Sequence, residues 1–127
     1  MGGMVTDAEQ RQHLAAVAAD LTQSGAPATI YRRTGGPRTG YVECGPCIVK
    51  AYGVFLGNAT RDYVTYGKVL PETNLQPDDA LWILDGPYTG SYAVRAMMPK
   101  AFYGATAYLQ ATLEKISEIR TGDLSVP

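Results

Sequence analysis

The sequence predicts a mainly β domain, with one N-terminal helix followed by a small antiparallel β-barrel or sandwich. Three observations carry that expectation. Residues 6–24 hold the one clear helical period. From Ala28 onward, short runs of β-formers follow one another. In a chain of 127 residues, 14 Gly and 8 Pro punctuate those runs. Residues 1–127 are expected to form a single domain, with the helix over 6–24, the barrel over 28–119 and a loose tail over 120–127. A chain of this size buries roughly two thirds of its unfolded surface but is too small for two cores. A lone sheet would leave unpaired edges, so closure or pairing with another subunit is expected.

The helix is legible from its ends inward. Thr6 and Glu9 have capping-box spacing. Leu14, Val17, Ala18 and Leu21 recur on one face, and Gly25 and Pro27 stop the element. The other positions are Ala, Gln and charges, which leaves a narrow apolar stripe and predicts a helix lying on a surface.

The strands follow in order. Ala28 to Arg33 is a strand candidate, and Thr34 to Gly40 is a loop by composition. Tyr41 to Cys44 resumes extended structure, Gly45 and Pro46 interrupt it, and Cys47 to Leu56 continues, with Gly53 marking a bulge or a close backbone approach. After a turn at Gly57 to Thr60, Asp62 to Leu70 is a further strand, and Pro71 to Asp79 is a polar loop. Ala80 to Leu84 and Ser91 to Met97, joined by the turn Asp85 to Gly90, form the clearest hairpin. Segment 104–116 satisfies two periods. Leu109, Leu113 and Ile116 have helical spacing, whereas Ala105, Ala107, Leu109, Ala111 and Leu113 alternate with polar residues and Tyr108. The alternation and the Thr and Tyr content favour a strand, with helix as the alternative.

Composition excludes several classes of function. Eleven basic and twelve acidic side chains give a net charge of −1, which excludes gripping nucleic acid by bulk electrostatics. With 46% hydrophobic and 18% charged residues, wholesale disorder is excluded as well. Tyr is the main aromatic, nine against two Phe and one Trp, which suits half-wet surfaces. No run approaches the ~20 apolar residues of a membrane helix. The first residues lack the basic and apolar regions of a secretory signal, so a reducing cytoplasm and no membrane are expected. The triplet Asn58, Ala59, Thr60 therefore carries no glycosylation, and Gly2 followed by Thr6 is only a short formal match to a myristoylation pattern.

Cys44, Gly45, Pro46 and Cys47 spell CGPC, the sequence of thioredoxin-type centres. Such a motif should open a helix, whose dipole activates the first thiol. Here β-formers follow it and Glu43 precedes it, so a turn carrying two thiols is the favoured reading and a thiol–disulfide oxidoreductase the alternative. Two cysteines and the distant His13 cannot complete a four-ligand zinc site within one chain. The nucleophile, metalloprotease, phosphate-loop and dinucleotide motifs are absent. No catalytic residue, metal or cofactor is expected. Asp78, Asp79 and Asp85 read as turn residues that bond local backbone, with Asp78 and Asp79 also candidate inter-subunit contacts. Arg32, Arg33 and Arg38 flank the loop containing Pro37 and form the one concentrated positive patch. These four residues are either a solvated hairpin tip or a contact to an acidic partner or passing DNA. Tyr63 and Tyr66 fall on opposite faces of their strand, one toward the core and one at a surface, and are candidate inter-subunit contacts.

Between Val64 and Leu113, the runs Thr65 to Pro71, Leu75 to Ile83, Asp85 and Gly86, and Tyr92 to Val94 make a pattern that resembles the small neck proteins of tailed bacteriophages. In head-closure and head–tail connector proteins, a strand of the pattern polar–Asp–x–Leu–x–Ile–x–Gly leads into a hairpin returning as Tyr–x–Val. Tyr103 and Gly104 after Pro99 also fit. The resemblance covers about half the chain and implies a small β-barrel. It implies a homo-oligomeric ring between a portal or adaptor and tail proteins, around passing DNA read without sequence specificity. It places the protein in the virion neck after synthesis in the host cytoplasm. The N-terminal helix departs from the pattern and keeps a tail terminator as an alternative; CGPC is no part of it. A stand-alone binding module using exposed Tyr is a further alternative.

Overall fold

The computed structural model describes residues 6–33, 40–55, 63–102, 104–121 and 124–126. Its elements are α1 (Asp7–Ser24), β1 (Ala26–Arg33), β2 (Tyr41–Phe55), β3 (Tyr63–Val69), β4 (Ala80–Ile83), β5 (Gly90–Phe102), β6 (Ala105–Ile116), β7 (Ile119–Thr121) and β8 (Leu124–Val126). Strands β1 to β6 close into a barrel in the order β1-β2-β3-β6-β5-β4, with every neighbouring pair antiparallel. The mainly β expectation holds, and closure removes the edges that an open sheet of this size would expose.

Segment 104–116 is strand. Ala111 and Leu113 join the barrel's buried interior and Leu109 packs against it, as the two-residue alternation requires. The interior is filled by Ile30, Val49, Val69, Leu81, Ile83, Tyr92, Val94 and Leu113, with Ala28 and Ala111 among them. A barrel this narrow needs small residues at some inward positions. At Gly67, a Cβ would lie 2.8 Å from Val49 Cγ2 and 3.1 Å from Leu113 Cδ1. Leu75, from the connection after β3, is also buried in this interior. That connection is therefore not the wholly polar loop its composition predicts.

β2 runs without a break through Gly45 and Pro46, where the sequence predicts an interruption. Its register against β1 shifts between Ile30 and Tyr31, with Ile30 opposite Gly45 and Tyr31 opposite Glu43. Cys44 is the extra residue of this β-bulge, and Gly45 beside it takes φ +122°. Gly53 carries no bulge: β2 and β3 stay in register from Lys50 to Phe55. It is instead a close approach, where a Cβ would stand 3.2 Å from the Tyr88 hydroxyl.

Two hairpins extend along the barrel in opposite directions. β3 pairs with β6 from Thr65 onward, so Val54, Phe55, Tyr63 and Val64 lie beyond the last β3–β6 pair. The β5–β6 hairpin runs past the other end as far as Phe102 opposite Ala105. The backbone of the expected loose tail pairs as the short β7–β8 hairpin. Ile119 at its start is fully buried with Tyr31 and Ala80, against Tyr41, Trp82 and Ile116 on the outer face.

Helix α1 lies on the outside, as its narrow stripe predicts. The Thr6 hydroxyl accepts the Glu9 N–H at 3.1 Å, and the Gly25 N–H closes the other end on the Leu21 carbonyl at 2.8 Å. Leu21 is the helix's buried residue. The chain turns into β1 so closely that a Cβ at Gly25 would come within 2.5 Å of Ile48 Cγ2 and of the Leu21 carbonyl oxygen.

Candidate functional site

Among the described residues, the charged side chains singled out in the sequence do not form one patch. Arg32 points to Asp79: Nε donates to Oδ1 at 3.0 Å and Nη2 to Oδ2 at 2.9 Å, while Nη2 also donates to the Asn74 carbonyl at 2.8 Å. The Asp79 side chain is 3% exposed, and it also accepts the Gln76 N–H at 2.9 Å. Both residues are therefore spent inside the subunit, tying β1 to the connection before β4. Arg32 is not a free cation for a partner, and Asp79 is too buried to be an inter-subunit contact. Arg33 is exposed, and its guanidinium stacks over Tyr41 at 5.6 Å. Pro37 and Arg38 lie outside the described residues. Asp78 is exposed and takes φ +72°, the left-handed conformation that Asp tolerates in turns.

Arg33 also lines an outer cleft with Tyr41, Arg95, Ser117 and Glu118. Arg95 donates to the Glu114 carboxylate, and that hydrogen bond, then the Glu114 charge and more weakly that of Asp78, raise its pKa. With Glu118 in its lining and Arg95 paired to Glu114, this cleft is balanced rather than cationic.

The cysteines stand in strand β2, so no helix N-terminus addresses either thiol. Both are free; Cys44 is exposed, and Cys47 packs against the barrel interior. Burial pushes the Cys47 thiol up to about 11, opposite to the activation a redox nucleophile needs. Among the described residues, no group of three His, Cys, Asp or Glu gathers to hold a metal ion, and no helix is long and apolar enough to cross a membrane.

The tyrosine expectation is met for the opposite faces but not for the core. Tyr66 is half-buried on the outer face, beside Tyr52 with ring centroids 5.6 Å apart. Tyr63, on the inward parity, sits beyond the end of the barrel and is 72% exposed. It packs on Phe55, with ring centroids 4.8 Å apart. Val54 and Phe55 at this end are 39% and 42% exposed. The described ends of β2 and β3 therefore present an apolar, aromatic surface beyond the barrel. The sequence signal for it is the apolar run Val54, Phe55 and Leu56 at the end of a β run, just before the turn read at Gly57.

Sequence reasoning missed a second feature on the outer face. The Lys68 ammonium sits over the Tyr52 ring at 5.4 Å and the Tyr108 ring at 4.9 Å. Burial, then the neighbouring Tyr108 and Tyr66, raise the Tyr52 pKa. Between this face and α1 runs a groove of about 350 Å³, lined in part by His13, Ala16, Val17, Phe102 and Tyr108. Lys50 and Asp20, paired at 2.9 Å, lie on its wall. Compared with known families, curated proteins and solved structures, the chain matches no family model, no curated sequence and no solved structure.

Proposed function

We propose that this chain is a structural subunit of a tailed bacteriophage or phage-like particle: a head-closure or head–tail connector protein. It assembles as a ring between portal or adaptor and tail, around the DNA channel in the virion neck. The observation that carries this reading is the apolar surface at the described ends of β2 and β3, where Val54, Phe55 and Tyr63 stay exposed on a barrel that has closed its own sheet. A closed barrel has little backbone edge to offer a neighbour. Exposed aromatic side chains at its strand ends are the natural means of attachment instead. The motif likeness between Val64 and Leu113 supplies the class of assembly. Catalysis has no role in it; the subunit works by shape.

Deleting the gene from the genome that makes the particle tests the proposal. The expected outcome is filled heads that lose DNA and separate free tails, with infectivity restored by the wild-type chain. Normal particles would overturn the proposal. Tails of aberrant length on joined heads would overturn it in favour of a tail terminator.

A further inference from the structure

We infer that a Cys44–Cys47 disulfide and the closed β1–β2 seam exclude each other, which makes the pair a redox-sensitive switch: oxidation closes it only on a chain whose barrel wall has opened. Neither the ring nor its partners enter into this, since the whole device lies within one strand pair. A disulfide needs its two Cα atoms about 4.4–6.8 Å apart, and beyond about 7 Å the backbone must move. Pairing with β1 stretches the two cysteines out: Cys47 lies opposite Ala28, and Gly45 opposite Ile30. Gly45 and Cys47 alone span roughly 6.6 Å at about 3.3 Å per residue, with Cys44 one residue further on in the bulge. The thiols also face different surroundings. The Cys44 thiol donates to the Val42 carbonyl at 3.7 Å, back along the strand, while Cys47 packs against the barrel interior. Both residues border one cleft with Glu72 and Asn74, so the extended backbone between them is what keeps the pair open.

Closing the bridge would draw residues 44–47 into a turn, with the end Cα atoms under about 7 Å apart. The pairs Ile30–Gly45, Thr29–Pro46 and Ala28–Cys47 would then be lost, and Ala28 and Ile30 are core residues. In a chain with β2 opened, nothing holds the cysteines extended. There the Cys44 thiolate attacks a small-molecule disulfide such as oxidised glutathione and expels one thiolate. The Cys47 thiolate then attacks the Cys44 sulfur of the mixed disulfide and expels the second. The cysteine pair is oxidised, the glutathione disulfide is reduced to two thiols, and the protons lost by the cysteines pass to the released thiolates. In the closed barrel the first step remains open to exposed Cys44. The second is blocked by distance, with burial also holding the Cys47 thiol protonated, its pKa pushed up to about 11. By reciprocity the bridge, once made, opposes refolding by the same factor.

The wild-type chain, equilibrated in a buffer of reduced and oxidised glutathione with and without enough urea to unfold it, provides the test. Acid quenching and mass spectrometry then count bridged, mixed-disulfide and dithiol forms. The ratio of bridged to dithiol chain should be at least about tenfold lower in the folded protein. A chain bridged in urea and moved to a series of lower urea concentrations should fold with a lower midpoint, by circular dichroism, than the reduced chain. Reducing the bridge should restore that midpoint. The sign is diagnostic, because a cross-link that fits its fold ordinarily stabilises it. An equal ratio with and without urea, or a bridged chain at least as stable as the reduced one, would overturn the inference.

Discussion

Asp79 accepts three hydrogen bonds with its two carboxylate oxygens, two from Arg32 and one from the Gln76 N–H, with 3% of its side chain exposed. The turn chemistry read from the sequence is correct as far as it goes, because the bond from Gln76 is local. Its main partner lies 47 residues away in the chain, and no local rule reaches that far. Removing the carboxylate leaves the Arg32 guanidinium without its ion pair at a partly buried site. Breaking a fully buried pair costs about 3–5 kcal/mol. Arg32 keeps 30% of its side-chain exposure and can recover some hydration, so Asp79→Ala should cost about 2–3 kcal/mol. Urea unfolding measures this, and a loss within the ~0.5 kcal/mol of ordinary surface substitutions would refute it. The Arg32→Met, Asp79→Leu double variant should lose less than the sum of the two single changes, because it leaves neither charge stranded.

At the scale of elements, α1 and the β4–β5 hairpin were legible because their signals are local: a cap, a period and a turn. β2 was misread because Gly45 and Pro46 are each poor in a regular strand, yet a bulge accommodates both. β2 pairs with β1 up to Val49 and with β3 from Lys50 onward. That hand-over between neighbours is invisible to composition. The helix has the opposite character, being well specified locally and thinly attached. An 18-residue helix in a protein draws most of its stability from packing rather than from propensity. Its docking rests on buried Leu21 and the Asp20–Lys50 pair, and the latter is exposed enough to contribute little. Leu21→Ala should therefore weaken docking by about 2–4 kcal/mol. Hydrogen exchange should show amide protection falling in α1 while β3 and β6 keep theirs. An equal loss in helix and strands would mean that α1 is integral to the barrel instead.

For the whole molecule, the charge distribution bears on what a ring of this protein could do with DNA. The chain carries eleven basic and twelve acidic side chains. Among the described residues, Arg32, Lys50 and Arg95 are paired with Asp79, Asp20 and Glu114, and Lys68 lies over two tyrosine rings. A duplex is gripped when several cations face its phosphates together and release counterions. Those four cations, already engaged within the chain, do not provide that, and a ring in the proposed role has to let DNA slide through. The isolated protein should therefore bind duplex DNA at physiological salt no better than the weak end of non-specific binders, with Kd of about 10⁻⁴ M or weaker. Fluorescence anisotropy across a salt series measures both the affinity and its slope. Micromolar binding that falls steeply with salt would reveal a cationic face that holds DNA, and a ring built on it would act as a clamp rather than a channel.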